Sequence, residues 1–165
     1  QFDGGNGGSS GGTDETFFAR DDTWSTLIGY PSSYGSAGEL NDHHFHYGYF
    51  IAAAAFVAIH DPEWATSDQW GGMVDLLIKD AANWERDDNR YPYLRNFDPY
   101  AGYSLASGHQ GFASGNNQES SSEAINFAYG VMLWGQATGR DEIRDRGYGL
   151  HRDQIRYSKL NFSRE

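Results

Sequence analysis

Apolar residues recur at helical spacing in three clear stretches of the chain. Phe45, Tyr49, Ala52, Phe56 and Ile59 predict a helix over 43–60, with that stripe as its buried face. Asn41 or Asp42 stands where a side-chain oxygen can cap the first turn. Pro62 suits the first turn of a short helix over 62–66. Trp70, Met73, Val74, Leu77 and Ile78 mark a second long helix over 68–84, with Ser67 and Asp68 as cap candidates. Ile125, Tyr129, Met132 and Leu133 mark a third over 119–137, ended by Gly139. A fourth spans 141–158, although Gly147 and Gly149 weaken it. No run alternates as a strand does. The expected class is all-α: helical hairpins joined by long polar loops.

The segments between the helices carry the remaining signals. Residues 1–12 are rich in Gly and Ser and read as a flexible lead, ahead of one domain over 13–165. Residues 13–40 are broken by Gly29, Pro31, Gly35 and Gly38 and read as loop with one helical turn. Residues 85–118 hold no sustained period, and a loop of that length in a compact domain is usually functional.

Composition narrows the function. The net charge of −11 and the lack of any Lys/Arg cluster exclude wholesale phosphate binding, so no nucleic-acid partner is expected. The apolar run over 51–59 is too short to span a bilayer. Without cysteine there is neither a disulfide frame nor a thiolate metal site. Aromatic residues are 16% of the chain, and their flat apolar faces with polar handles suit sugar rings as well as any large core.

Asn116-Asn117-Gln118-Glu119-Ser120-Ser121-Ser122-Glu123 is the most informative segment. On a helix its two glutamates would share one face, and like charges held so close resist joint ionisation. Asp42 opens a different helix. A carboxylic acid paired with a carboxylate is the minimum kit for cleaving a glycosidic bond. The bland alternative is that all three acids merely serve helix N-termini, where the dipole favours anions.

His43, His44 and His46 tempt a metal reading. No second ligand pair and no His-Glu-x-x-His pattern accompany them, so neither metal nor cofactor is expected. Hydrogen bonding to a polar substrate, or tuning of Asp42, is the preferred role. Of Tyr47 and Tyr49, one faces the site while the other packs. Asp98 lies in Asn96-Phe97-Asp98-Pro99-Tyr100-Ala101-Gly102, which reads either as a turn or as a sugar-contacting rim. His109, in the long loop, is a ligand candidate. Asp87 and Asp88 read as a solvated turn.

Three motifs carry a resemblance. Asn41-Asp42-His43-His44-Phe45-His46-Tyr47-Gly48-Tyr49-Phe50, Arg95-Asn96-Phe97-Asp98-Pro99-Tyr100-Ala101-Gly102 and Gly115-Asn116-Asn117-Gln118-Glu119-Ser120-Ser121-Ser122-Glu123-Ala124 resemble the signatures of glycoside hydrolase family 81. The likeness runs over about 17–144. It implies a secreted, cofactor-free endo-β-1,3-glucanase (laminarinase) with an (α/α)6-barrel catalytic domain and an inverting mechanism. It implies Asp42 as general acid and Glu119 as base, with Glu123 assisting or taking the base's place. His46, Tyr47 and Tyr49 would line the cleft. Asp98, His109 and Asn117 are further candidates for substrate binding on the reading of the residues themselves. Ser114, Tyr103 and Leu105 depart from the family pattern, where Asp, His and Trp are expected. Four long helices supply only part of such a barrel, so exposed apolar faces are expected, inviting the remainder of the barrel or self-association. The rival functions are a non-catalytic glucan-binding module and a structural remnant.

Overall fold

A computed structural model describes residues 16–107, 111–112 and 118–162. The lead over 1–12 and the candidates His109 and Asn117 lie outside the described residues. The chain opens with an antiparallel hairpin, β1 (Phe17–Asp21) and β2 (Thr26–Tyr30), with Phe17 opposite Tyr30. Asp21 closes its turn by accepting from the Thr23 and Trp24 amides at 2.8 and 3.0 Å. The helices are α1 (Ser36–Glu39), α2 (His43–His60), α3 (Gly71–Ala82), α4 (Ser121–Ala137) and α5 (Asp141–Phe162). A second small hairpin, β3 (Phe97–Asp98) with β4 (Tyr103–Ser104), lies between α3 and α4.

The all-α expectation therefore needs correction: the fold is mainly helical with two small antiparallel hairpins. The strands escape pattern reading because Phe17-Phe18-Ala19-Arg20-Asp21 does not alternate. Residues 62–66 form turns and not a helix.

The long helices match their expected positions, and α2 matches at both ends. Its buried face matches at Phe45 and departs from the expected stripe further along. Tyr49, Phe56 and Ile59 are 56%, 56% and 52% exposed, whereas Tyr47, Gly48, Ile51, Ala54, Ala55 and Ala58 are buried. The cause is close packing. A Cβ on Gly48 would sit 3.0 Å from the Phe127 Cα of α4. Gly48 and Ala52 of α2 therefore lie against α4, while Tyr49, Phe56 and Ile59 turn outward. Gly147 of α5 has the same use, since a Cβ there would collide with the Met132 backbone of α4. The glycine that weakens α5 as an isolated helix is what lets it pack.

The core joins Ile51 and Ala55 of α2, Ile78 of α3, Phe127, Val131 and Trp134 of α4 and Ile143 of α5. Charged groups lock its margins. Lys79, almost wholly buried, donates to Glu85 and Asp88 at 2.8 Å each. Asp88 is thus a buried ion-pair partner, also gripped by Arg90, and not part of a solvated turn. Its carboxyl is held far below the ordinary carboxylate range, mainly by the Arg90 hydrogen bonds. No helix among the described residues is long and apolar enough to cross a membrane.

Candidate active site

The first turn of α2 is built around an unusual backbone. Asp42 adopts a left-handed conformation (φ 59°), which is sparsely populated by non-glycine residues. Its amide donates to the Ala106 carbonyl at 2.8 Å, pinning the turn to the loop after β4. The expected cap is not made: neither Asn41 nor Asp42 gives α2 a side-chain capping bond. The left-handed residue turns the carboxyl away from the helix amides. Asn41 instead donates its amide to the Tyr34 carbonyl at 3.1 Å and to Asp42 Oδ2 at 2.9 Å. The other oxygen, Oδ1, is buried and has no hydrogen-bond partner.

The start of α4 is built differently. Ser120 caps it, its hydroxyl accepting from the Glu123 amide at 3.3 Å. Glu119 lies outside the helix, again with positive φ (30°). The two glutamates therefore do not share a helical face, as their spacing alone predicts. Glu119 is set by the loop, and the residue before it bridges two elements. Gln118 accepts from Ser104 of β4 at 3.1 Å and donates to the buried Gln154 of α5 at 3.2 Å. Glu123 reaches sideways to accept the Tyr49 hydroxyl of α2 at 2.9 Å.

These pieces meet around Asp42. Only 9% of Asp42 is exposed. Its pKa is raised above 3.8, first by burial and then by the negative charge of Glu119, with a smaller push from Glu123. His46 and the Asn41 amide act in the opposite direction. An acid that resists ionisation thus sits within electrostatic reach of two carboxylates from another helix start. Backbone strain at both Asp42 and Glu119 is of the kind that clusters at active sites.

A trough of about 470 Å³ is lined by Phe17, Phe18, Tyr30, His46, Tyr49 and Phe50 among others, with none of the three carboxylates in its wall. Tyr34, 81% exposed, leans over His46 at 5.6 Å between rings. Tyr47 touches the floor of this trough. Its ring is buried, and its hydroxyl is committed to the Leu27 carbonyl at 2.7 Å. Tyr49 is thus the tyrosine that faces the site and Tyr47 the one that packs. Asp98 lies elsewhere, lining a cavity of about 360 Å³ with α5. Its Oδ1 accepts the Tyr100 and Ala101 amides at 2.9 and 3.0 Å, closing a turn.

The three histidines point three ways. His46 faces the trough. His43 is wholly buried against Asp80 of α3 at 2.6 Å. His44 is wholly buried among Phe45, Phe97 and Phe127, with neither ring nitrogen hydrogen-bonded. Burial lowers its pKa to about 3, so it is neutral. Sequence reasoning missed Asp80, and no local signal marks it, because its partners lie in β2 and α2. The bridging role of Gln118 was hidden for the same reason.

The sequence model of the glycosyl hydrolase family 81 C-terminal domain matches residues 13–155. The chain belongs to this family. It is 65% identical over 138 residues to a glucan endo-1,3-beta-D-glucosidase of Acetivibrio thermocellus, covering 84% of this chain and 18% of that protein. A protein of the same name from Thermobifida fusca is 56% identical over 146 residues, covering 88% and 19%. The primary septum glucan endo-1,3-beta-D-glucosidase of Schizosaccharomyces pombe is 36% identical over 144 residues, covering 82% and 14%. A solved family 81 structure from Clostridium thermocellum superposes with a TM-score of 0.81 at 64% identity, covering 84% of this chain and 19% of that one. The chain therefore spans about a fifth of the length of these family 81 relatives.

Proposed function

We propose that the complete polypeptide hydrolyses internal β-1,3-glucosidic bonds of β-glucan outside the cell, and that this segment supplies its acid and base. The observation that carries the reading is the Asp42 carboxyl: buried, with one oxygen unpartnered, and pushed toward its protonated form by Glu119 and Glu123. Such a group suits a general acid. Asp42 donates its proton to the leaving glycosidic oxygen. Glu119, at the exposed mouth, takes a proton from the water that attacks the opposite sugar face. Glu123, held by Tyr49, orients that water or replaces Glu119 as base. The product then has inverted configuration. His46, Tyr49 and the aromatic trough seat neighbouring glucose units, and that remote binding favours distortion at the cleaved ring. No step calls for a metal or cofactor.

In this reading α2 to α5 are four helices of an (α/α)6 barrel. The outward residues Tyr49, Phe50, Phe56, Val57 and Ile59 are all at least 40% exposed, which suits a helix with barrel neighbours on a second side. The test is release of reducing ends from laminarin, with Asp42→Asn and Glu119→Gln as controls. Loss of turnover in both variants and an inverted product by proton NMR are expected. Full turnover by Asp42→Asn removes the acid assignment, and a retained anomer removes the inverting scheme. Laminarin binding without any release would replace hydrolysis by a glucan-binding module.

A further inference from the structure

The group next to the acid in the chain is tied down far more firmly than the acid itself. His43 is wholly buried, and both of its ring nitrogens face oxygen acceptors. Nδ1 meets Asp80 Oδ2 at 2.6 Å, and Nε2 meets the Ser36 carbonyl at 3.1 Å. With both nitrogens engaged, the ring is held between one side-chain oxygen and one main-chain oxygen. The other Asp80 oxygen accepts the Thr26 hydroxyl and the Leu27 amide, each at 2.7 Å. The Asp80 carbonyl accepts from Arg95 Nε at 3.1 Å. One side chain of α3 thereby joins β2 and α2, His43 carries the link on to α1, and the residue that Asp80 grips is the immediate neighbour of Asp42. The other ionisable side chains around the pair are Arg95, Tyr47, Tyr91 and His44.

We propose that Asp80 is a positioning residue for Asp42: through His43 it fixes the first turn of α2 in the left-handed geometry that keeps the Asp42 carboxyl facing Glu119 and Glu123. The inference rests on the assignment of Asp42 as the acid. Asp42 contributes no capping bond and its Oδ1 has no partner, so the acid itself does little to hold the turn. The hold comes from His43 behind it and from the Asp42 amide bonded to Ala106. Charge is not the medium. Neither Asp80 nor His43 is among the groups that shift the Asp42 carboxyl, so the effect on Asp42 is geometric.

Two substitutions at one position separate placement from charge. In Asp80→Asn the amide oxygen still accepts from Thr26 and Leu27, and the amide nitrogen can donate to His43 Nδ1. In Asp80→Ala both links are lost. Each variant is made in the complete polypeptide, and kcat and KM on laminarin are measured together with the Asp42 carboxyl titration by NMR. For Asp80→Ala we expect kcat to fall at least about tenfold with KM changed less than about threefold, since small misplacement of a reacting group costs rate. The Asp42 titration should move down toward 3.8 as the carboxyl gains water. Asp80→Asn should recover most of the kcat and the raised titration. If Asp80→Ala does not fold, Thr26→Val provides a milder cut of the same network and should lower kcat by about twofold to fivefold.

A folded Asp80→Ala with parental kcat and parental Asp42 titration overturns the proposal. So does an Asp80→Asn as impaired as Asp80→Ala, and so does a Thr26→Val of parental kcat where that variant is the test. The failure of the underlying reading looks different. A parent that does not hydrolyse laminarin, or an Asp42→Asn variant that does, removes the acid while the NMR titration still reports whether Asp80 controls its environment.

Discussion

The scaffold side and the cleft side of this molecule treat aspartate in opposite ways. Asp75 accepts from Trp134 Nε1 and from two nitrogens of Arg140. Asp80 accepts from Thr26, Leu27 and His43. Asp88 accepts from Lys79 and from the Arg90 backbone and guanidinium. Among the described residues, the Asp42 carboxyl accepts from the Asn41 amide alone. Four of the eight buried side-chain atoms without a partner among the described residues belong to Asn41, Asp42 and His44; the others are Tyr91 Oη, Asn96 Oδ1, Asn126 Nδ2 and Arg146 Nε. Buried polar groups without partners are costly, and folded proteins rarely leave them together. The saturated carboxylates hold the fold. The under-bonded one is left available to exchange a proton, which is the physical ground for assigning it a reaction.

The sharpest way to break this contrast is to neutralise one carboxylate on each side. Asp42→Asn should lower laminarin hydrolysis by about 10²–10⁴-fold, the usual contribution of a positioned general acid. The same change should stabilise the fold. A carboxyl whose folded pKa is raised binds more protons folded than unfolded, so it costs stability as pH rises above 3.8. Asparagine is uncharged and also tolerates left-handed backbone better. A melting temperature higher by about 2–4 °C at pH 7 would correspond to about 1 kcal/mol. Asp75→Asn should do the reverse, with kcat per folded molecule unchanged and stability down by about 1–3 kcal/mol in denaturant titrations. An Asp75→Asn with impaired kcat at full stability would erase the distinction.

Why one side of the contrast was legible in sequence and the other was not follows from range. Asp42, Glu119 and Glu123 stand in dense polar motifs at predicted helix starts, so local pattern exposes them. Two of the saturated carboxylates pair across the chain, Asp80 with residues 37 and 54 positions away and Asp75 with one 65 away, whereas Asp88 pairs locally with Lys79 and Arg90. No spacing rule reaches that far. Helix positions were legible because the apolar period is local, whereas the buried face of α2 was not. That helix is apolar nearly all round, and what selects the inner face is the fit of Gly48 against Phe127. Likewise the spacing of Glu119 and Glu123 suggests a shared face, but the positive φ of Glu119 and the Ser120 cap start α4 after the first glutamate.

His44 sharpens the contrast on the cleft side by a smaller amount. Its folded pKa, about 3, lies below the unfolded 6.5, so below pH 6.5 the unfolded chain binds more protons. The associated stability is fully present above pH 6.5 and is lost as pH falls toward 3, at up to about 1.4 kcal/mol per unit. His44→Leu, of similar bulk and without titratable nitrogens, should flatten melting temperature against pH between about 6 and 4. Superimposable curves for parent and variant would mean that His44 is not held neutral by burial.

The smallest expected effect is also the most specific, because its sign is fixed by which charges surround the acid. Glu123 raises the Asp42 pKa, and His46 lowers it. Glu123→Gln should therefore move the basic limb of the kcat/KM profile to lower pH, since the acid then ionises earlier. His46→Asn should move it to higher pH. Each shift should stay below about one unit, because burial is the first cause of the raised value and neither substitution removes it. Opposite shifts place Asp42 between these two charges as the group that must stay protonated. Shifts in the same direction would mean that another residue sets the basic limb, and the under-bonded aspartate would lose its role as proton donor while keeping its odd geometry unexplained.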